Sequence, residues 1–260
     1  MTPYASFVPN SAFALLLQGP PGSGKTTTAL NWPGAYILDC DQNLDGPVEW
    51  HKKHTPNWPG FVGFDTVESG DTGFGPTGRY AAQPQNWLRV IELTKVALRE
   101  PTVKTLVVDS LTKFTDYLCD FIIFGKPSTE DKNKMTIGDW IPFKTLMARY
   151  VAMCRSAHKT VIFCCHEKAL ADEVTDVVGY VPNIPGQLAG NLGSYFTDVW
   201  RCETALDAKS GKYVNNIRTR KTPRLELKCS KELPDVFPFS WPLVATALGL
   251  TDNKTTVVAK

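Results

Sequence analysis

A glycine-rich pattern near the N-terminus constrains this sequence more than any other feature. Residues 19–26 read G-P-P-G-S-G-K-T, which matches G-x-x-x-x-G-K-[ST], and they follow the apolar run 13–18 directly. In such a loop, glycines let backbone N–H groups turn inward around phosphate oxygens, and the helix that follows directs its positive end at the same anion. A strand before the loop and a helix after it are the context that identifies the motif. The sequence therefore predicts a strand–loop–helix unit that binds nucleotide phosphates.

The loop assigns a role to each of its polar side chains. Lys25 is expected to reach the β- and γ-phosphates of ATP, and the Thr26 hydroxyl is expected to bind Mg²⁺. Asp109 ends the apolar strand 105–109, where a carboxylate at the carboxyl edge of the sheet can hold the same Mg²⁺ through water. Asp109 also precedes a helix, so a capping role is compatible with the metal role. The predicted nucleotide contacts of the loop are Gly19, Pro20, Pro21, Gly22, Ser23, Gly24, Lys25, Thr26 and Thr27.

Strand and helix patterns alternate along the first two thirds of the chain. Short apolar runs at 13–18, 35–39, 105–109 and 160–165 are typical of parallel strands that are covered on both faces. Helical patterns lie between or after them, at 86–100, 111–124 and 141–158. This rhythm predicts an α/β fold with a mostly parallel sheet flanked by helices and right-handed crossovers.

The last third of the chain is expected to extend the sheet with antiparallel strands. Residues 198–203 and 213–220 have strand patterns on either side of a turn at 207–212, and a short helix is expected within 234–250. We predict one domain over residues 1–260, with its core at 13–227 and a C-terminal extension at 228–260. Long loops are predicted at 55–84, 125–138 and 168–193.

Composition excludes several classes of protein. Lys and Arg number 28 and Asp and Glu number 26, so the formal net charge is +2. That excludes a strongly basic protein that coats duplex DNA, and any nucleic acid bound would need a local basic patch. The seven cysteines include no C-x-x-C pair, which favours buried free thiols in a reducing compartment. No run approaches the ~18 apolar residues of a membrane span. We expect a soluble, cytoplasmic protein without a membrane partner.

Several sequence segments, in their order along the chain, resemble motifs of the RecA-like recombinase core. Residues 39–45 read D-C-D-Q-N-L-D, similar to that family's D-x-E-x-x-L-D, and 105–112 (TLVVDSLT) resembles its Walker B strand. The resemblance implies that Asp41 is the general base that activates water and that Asp45 contacts adenine. The Asp41 side chain is one methylene shorter than the family's Glu, which implies either slower hydrolysis or a closer approach of the carboxylate to the attacking water. Alternatively, residues 39–45 form only a solvated acidic turn.

Further segments downstream continue the resemblance. His166 stands where recombinases place a polar γ-phosphate sensor, although a structural histidine is the alternative. Residues 125–138 and 185–201 fall where the two DNA-binding loops lie, with Lys126, Lys132 and Lys134 as candidate phosphate contacts in the first. Arg218 and Arg220 resemble the K-x-K pair that reaches a neighbour's ATP, and alternation would place them on one strand face. Solvation of a strand edge or contact with DNA phosphate would explain the same arginines.

The match runs from about residue 13 to residue 227 and is most similar to the RecA-like branch of the phage Sak single-strand annealing proteins. That resemblance implies a RecA-like P-loop NTPase core with ATP and Mg²⁺ as cofactors. It also implies single-stranded DNA as a partner, a homo-oligomer with ATP between protomers, a single-strand DNA-binding protein as a further partner, and the cytoplasm of a bacterial host.

Three other readings stay open. An AAA+ motor or loader fits the sequence of the phosphate loop, although Ser110 stands in place of the acidic residue that such motors use as a general base. A small-molecule kinase would need an Arg-rich lid, which 168–193 does not contain. A nucleotide-gated DNA-binding module with negligible turnover would explain Asp41 in place of Glu.

Overall fold

The computed structural model describes residues 13–56, 58, 60–67, 84–127, 134–171, 178–206, 211 and 213–249. The strands are β1 (Ala14–Gly19), β2 (Ala35–Asp39), β3 (Gly63–Thr66), β4 (Thr105–Asp109), β5 (Thr160–Ala171), β6 (Val178–Pro182), β7 (Asp198–Leu206), β8 (Tyr213–Arg218) and β9 (Val236–Pro238). The α-helices are α1 (Lys25–Ala29), α2 (Asp45–His54), α3 (Pro84–Arg99), α4 (Leu111–Phe124), α5 (Trp140–Ser156) and α6 (Trp241–Ala247). Short 3-10 helices cover Ile137–Asp139, Gly186–Gly190 and Leu192–Tyr195.

The strands form one sheet in the order β3-β2-β4-β5-β1-β7-β8-β9, with β6 paired to the outer half of β5. All neighbours from β3 to β7 are parallel, whereas β8 and β9 join antiparallel. One strand, β5, therefore lies between the strand that carries the phosphate loop and the strand that ends at Asp109. The result is the predicted α/β fold, a mostly parallel P-loop sheet with helices on its faces and a C-terminal antiparallel extension.

Alternation along the strands supplies two apolar cores. In β1, Leu16 faces the core beneath α3, α4 and α5, while Leu15 and Leu17 face the core shared with α1 and α6. The second core is built on aromatic rings: Trp32 lies 5.2 Å from Phe13, 6.4 Å from Trp200 and 5.1 Å from Trp241, between ring centroids. These contacts fix the C-terminal helix against the start of the chain's first strand.

The predicted strands and helices from residue 13 to residue 165 are confirmed. Their ends move by at most two residues, except that β5 continues to Ala171. The predicted loop 168–193 is wrong in part, because 168–171 and 178–182 pair as an antiparallel hairpin and short 3-10 helices follow. The predicted loop 55–84 contains β3, which pairs with β2 at the sheet edge. The turn 207–212 lies largely outside the described residues.

The second predicted strand of the C-terminal third is too long. β8 ends at Arg218 and Arg220 lies beyond it, so the two arginines do not share one strand face. The predicted terminal helix is confirmed as α6.

Substitution of Gly19 tests the packing of the phosphate loop against β7. A Cβ atom at Gly19 would lie 2.4 Å from the backbone oxygen of Cys202, so the strand itself must shift. We expect Gly19→Ala to lower the free energy of unfolding by about 2–4 kcal/mol. Gly22→Ala is the matched control, since a Cβ there meets nothing within 4 Å. It should cost only the ~1 kcal/mol of a left-handed backbone. Urea denaturation of both variants makes the comparison, and equal losses would contradict the packing argument.

Candidate functional site: a nucleotide cavity at the carboxyl edge of the sheet

The phosphate loop is closed by its own lysine. Lys25, the first residue of α1, is buried, and its Nζ donates to the backbone oxygens of Gly19 at 3.0 Å and Pro20 at 2.8 Å. Gly24 caps the helix with φ +86°, and a Cβ there would lie 2.6 Å from Nδ2 of Asn215 on β8. The ammonium is therefore fixed at the loop, and the loop itself is held between α1 and β8.

Thr26 and Asp109 lie together at the floor of the site. The Thr26 hydroxyl donates to Oδ2 of Asp109 at 2.5 Å. Burial raises the pKa of the Asp109 carboxyl to about 6, and the hydrogen bond from Thr26 opposes that rise only in part. A hydroxyl and a carboxylate are oxygen ligands of the kind that Mg²⁺ uses together with water and phosphate oxygens. The pair therefore fits the predicted metal site, because a nearby cation would stabilise the ionised form of the buried Asp109 carboxyl.

Asp41 and His166 meet across the sheet edge. Oδ1 of Asp41 accepts from the Ser110 hydroxyl at 2.9 Å, and Oδ2 lies 3.2 Å from Nε2 of His166. Burial by itself raises the pKa of Asp41, but hydrogen bonds from His166 and Ser110 and the nearby positive charges bring it below its usual value. Asp41 is thus an ionised carboxylate near neutral pH and can accept a proton. Nδ1 of His166 is buried and has no hydrogen-bond partner among the described residues.

These groups line one cavity of about 350 Å³. The predicted residues that line it are Pro21, Gly22, Gly24, Lys25, Thr26, Thr27, Asp41, Asp109 and His166. The sequence interpretation missed Asn43, Gly46, Pro47, Trp50 and Asn215, which also line it. Trp50 is 45% exposed, so its ring offers a flat apolar surface at the cavity. The signal that could have revealed it was Pro47, because proline is common in the first turn of a helix.

His51 joins the helix that carries Trp50 to the phosphate loop. Its buried ring donates through Nε2 to the Thr27 oxygen at 2.8 Å, and Nδ1 lies 2.9 Å from the Thr55 hydroxyl. The ring also stacks on Trp58, with centroids 4.6 Å apart. Burial lowers the pKa of His51, which keeps it neutral and suited to this pair of bonds. His51 therefore positions α2, and with it Trp50, against α1.

Six predicted residues do not line the cavity: Gly19, Pro20 and Ser23 of the phosphate loop, and Asp45, Arg218 and Arg220. Asp45 is exposed at the start of α2 and does not line the cavity, so its adenine contact stays a prediction. Arg218 is held by Glu203 through two hydrogen bonds of 3.1 and 2.8 Å. Arg220 pairs with the exposed Asp235 at 3.0 Å. Within one protomer, neither arginine is placed at the nucleotide cavity.

The predicted DNA loops are only partly described. Lys126 is buried, donates to the Lys134 oxygen and pairs with Asp139 at 2.7 Å, so the expectation that it contacts DNA phosphate is wrong for this conformation. Lys132 lies outside the described residues. In the second loop, Phe196 belongs to the core and Tyr195 packs against it.

Comparison with known proteins places the chain in one family. A family model described as "AAA domain" matches residues 12–228, and the chain belongs to that family. Among solved structures, it is similar to a KaiC-like protein from the hyperthermophilic archaeon Pyrococcus horikoshii OT3. The two are 16% identical, with 88% of this chain and 89% of that chain covered and a TM-score of 0.39. No curated protein matches the sequence. The chain therefore contains a P-loop domain of this family.

No helix within the described residues is long and apolar enough to cross a membrane.

Asp109→Asn tests the electrostatic cost of the predicted metal site. The folded-state pKa of about 6 lies above the ordinary value of 3.8, so ionised Asp109 destabilises the fold. That cost is absent below pH ~4, grows as pH rises to ~6 and is constant above it. We expect Asp109→Asn to raise the free energy of unfolding without nucleotide by about 2–3 kcal/mol at pH 7.5. The gain should vanish near pH 4. Urea titrations at several pH values measure it; a gain independent of pH would contradict the burial argument.

Proposed function

We propose that the protein is an ATPase that binds single-stranded DNA and acts as a recombination factor, by single-strand annealing or strand exchange. The observation that carries the proposal is the 3.2 Å contact between Asp41 and His166. His166 directly precedes the antiparallel β5–β6 hairpin, whose first pair is Glu167 with Pro182. A change at the γ-phosphate end of the cavity therefore has a short route to the segment that follows the hairpin, which is the predicted second DNA loop.

The residues of the cavity divide the work of hydrolysis between them. The loop N–H groups and Lys25 hold the β- and γ-phosphates, and Thr26 with Asp109 hold Mg²⁺, which neutralises phosphate charge when bound. Asp41 accepts the proton of the attacking water, and His166 contacts the γ-phosphate and keeps Asp41 oriented. Trp50 packs on the base, in place of the contact that the resemblance assigns to Asp45.

The charges of the described residues favour DNA binding beside the 3-10 helices. The segment 221–231 carries Lys221, Arg224, Lys228 and Lys231 against one acidic residue, Glu226. Its first bridge joins Leu225 to Tyr180 of the hairpin, and a second joins Lys228 to Val199 of β7. A local basic strip next to the hairpin is what a chain of net charge +2 needs to bind a phosphate backbone.

An AAA+ motor or loader is the second candidate, because the matching family is described as an AAA domain. The described residues after Arg201 do not favour it. They form strands β8 and β9 and the seven-residue helix α6 rather than a helical lid.

Phosphate release with and without single-stranded DNA tests the proposal. We expect Asp41→Asn to bind ATP almost normally and to hydrolyse it ~10²–10⁴-fold more slowly, because it cannot accept a proton. Lys25→Ala should lose ATP binding and turnover while remaining folded. DNA should bind more weakly as salt rises, and it should stimulate the wild-type rate. Full activity of Asp41→Asn would place the base elsewhere, and turnover without any DNA binding would favour the motor.

Mixing two inactive variants tests assembly with ATP between protomers. The Arg220–Asp235 pair is exposed on both sides, so it contributes little to stability and can be exchanged for a neighbour's phosphate. We expect Arg220→Ala to retain ATP binding and lose turnover. A mixture with Asp41→Asn should recover part of the activity, because some interfaces then combine an intact base with an intact arginine. Arg89→Ala, which breaks an exposed pair with Glu92, is the matched control. No recovery, with a monomer in sedimentation when ATP and DNA are present, would refute the shared site.

A further inference from the structure

A second cavity, of about 330 Å³, lies on the other side of β1 from the ring cluster of Trp32. Its walls come from β1, β6, β7, the 3-10 helices after Pro185 and the segment 226–228. The side chains that matter below are Gln18, Tyr180, Asn191, Ser194 and Lys228. Apolar walls with a few polar groups, at the small end of the range for ligand sites, suit one flat heterocycle.

Gln18 is the observation that points to a ligand. Its side chain is 1% exposed, it lines the cavity, and its Oε1 has no hydrogen-bond partner among the described residues. A buried amide oxygen without a donor costs free energy, so native proteins rarely keep one without a reason. An apolar occupant such as an aliphatic side chain would leave that cost in place, whereas a ligand with an N–H group would remove it.

The cavity wall also offers an aromatic face that its neighbours hold in place. The Arg201 guanidinium lies 5.0 Å from the centroid of the Tyr180 ring. Arg201 is itself held by two hydrogen bonds to Glu167, of 2.9 and 2.7 Å. The ring of Tyr180 is therefore oriented by an ion pair that starts one residue after His166.

Positive charge lies beside the cavity. In the segment 224–228, Leu225 and Leu227 are buried while Arg224 and Lys228 are exposed. Glu226, on the same exposed side, is paired with Lys221 at 2.7 Å. The exposed edge of this wall thus has spare positive charge.

We propose that this cavity binds one unstacked base of single-stranded DNA, with the Gln18 amide on the edge of the base and the adjacent phosphates on Arg224 and Lys228. An amide offers an acceptor and donors that match base edges, and an aromatic ring stacks on any base. The inference rests on the proposed DNA-binding function and names the place where a base is held. Because Gln18 directly precedes Gly19 of the phosphate loop, a bound base is one residue away from the nucleotide site.

The test compares the affinity of the full-length protein, with ATP present, for two fluorescein-labelled strands of equal length. One strand is of mixed sequence and the other consists of abasic sites. Because both strands carry the same phosphates, a variant that changes phosphate contacts alters both affinities equally and leaves their ratio unchanged. We expect the wild-type ratio to be roughly tenfold, from stacking and the amide contact. Gln18→Leu removes the amide contact and leaves Tyr180, so it should lower the ratio several-fold, whereas Gln85→Leu, at an exposed glutamine on α3, should keep the wild-type ratio.

A second variant and a cross-link keep the test decisive if Gln18→Leu fails to fold. Ser194→Phe changes an exposed residue at the cavity and should block it, which should bring the ratio close to one. A strand with 5-iododeoxyuridine should cross-link to Tyr180 on irradiation, and the bond should disappear in Ser194→Phe. If both strands bind equally to wild type, or if the ratio survives both variants, the base pocket is refuted while DNA binding stands. If neither strand binds, the proposed function fails as well.

Discussion

The position of β5 between β1 and β4 is the constraint on which the nucleotide site depends. Parallel pairing aligns Gly19 with His166 and Asp109 with Cys164, and β2 aligns Asp39 with Asp109. The carboxyl ends of four strands therefore meet at one edge, where ligands bind in open α/β sheets. Residues that are 125 positions apart, Asp41 and His166, come within hydrogen-bond distance for this reason.

Opposite pKa shifts then separate the tasks of two nearby carboxylates. Asp109 has little access to solvent, and its hydrogen bond from Thr26 does not offset burial, so its pKa rises to about 6. Asp41 receives two hydrogen bonds from other strands or helices and its pKa falls. When the environments of two neighbouring carboxyls push their pKa values apart, the two groups usually have different roles in catalysis. Here the separation favours a metal-dependent charge at Asp109 and a proton acceptor at Asp41.

The local parts of the fold and site could be predicted from the sequence, and the parts that depend on distant pairing could not. The phosphate loop, Asp109 and the buried strands carry their own patterns. By contrast, α2 begins with Gly46-Pro47 and has few apolar residues, and β3 is a four-residue edge strand with Phe64 exposed. The β5–β6 hairpin consists of short segments that become strands only by pairing with each other. Trp50 and Asn215 reach the cavity through these elements, so sequence patterns alone did not place them.

In the proposed function, His166 transmits the state of the γ-phosphate to the β5–β6 hairpin. Hydrogen exchange of the backbone amides at 167–171 and 178–182 tests it most directly, with a slowly hydrolysed ATP analogue, with ADP and without nucleotide. We expect stronger protection with the ATP analogue than with ADP, and we expect His166→Ala to lose that difference although it still binds the analogue. Equal protection with both nucleotides in the wild-type protein, each at saturation, would contradict the claim.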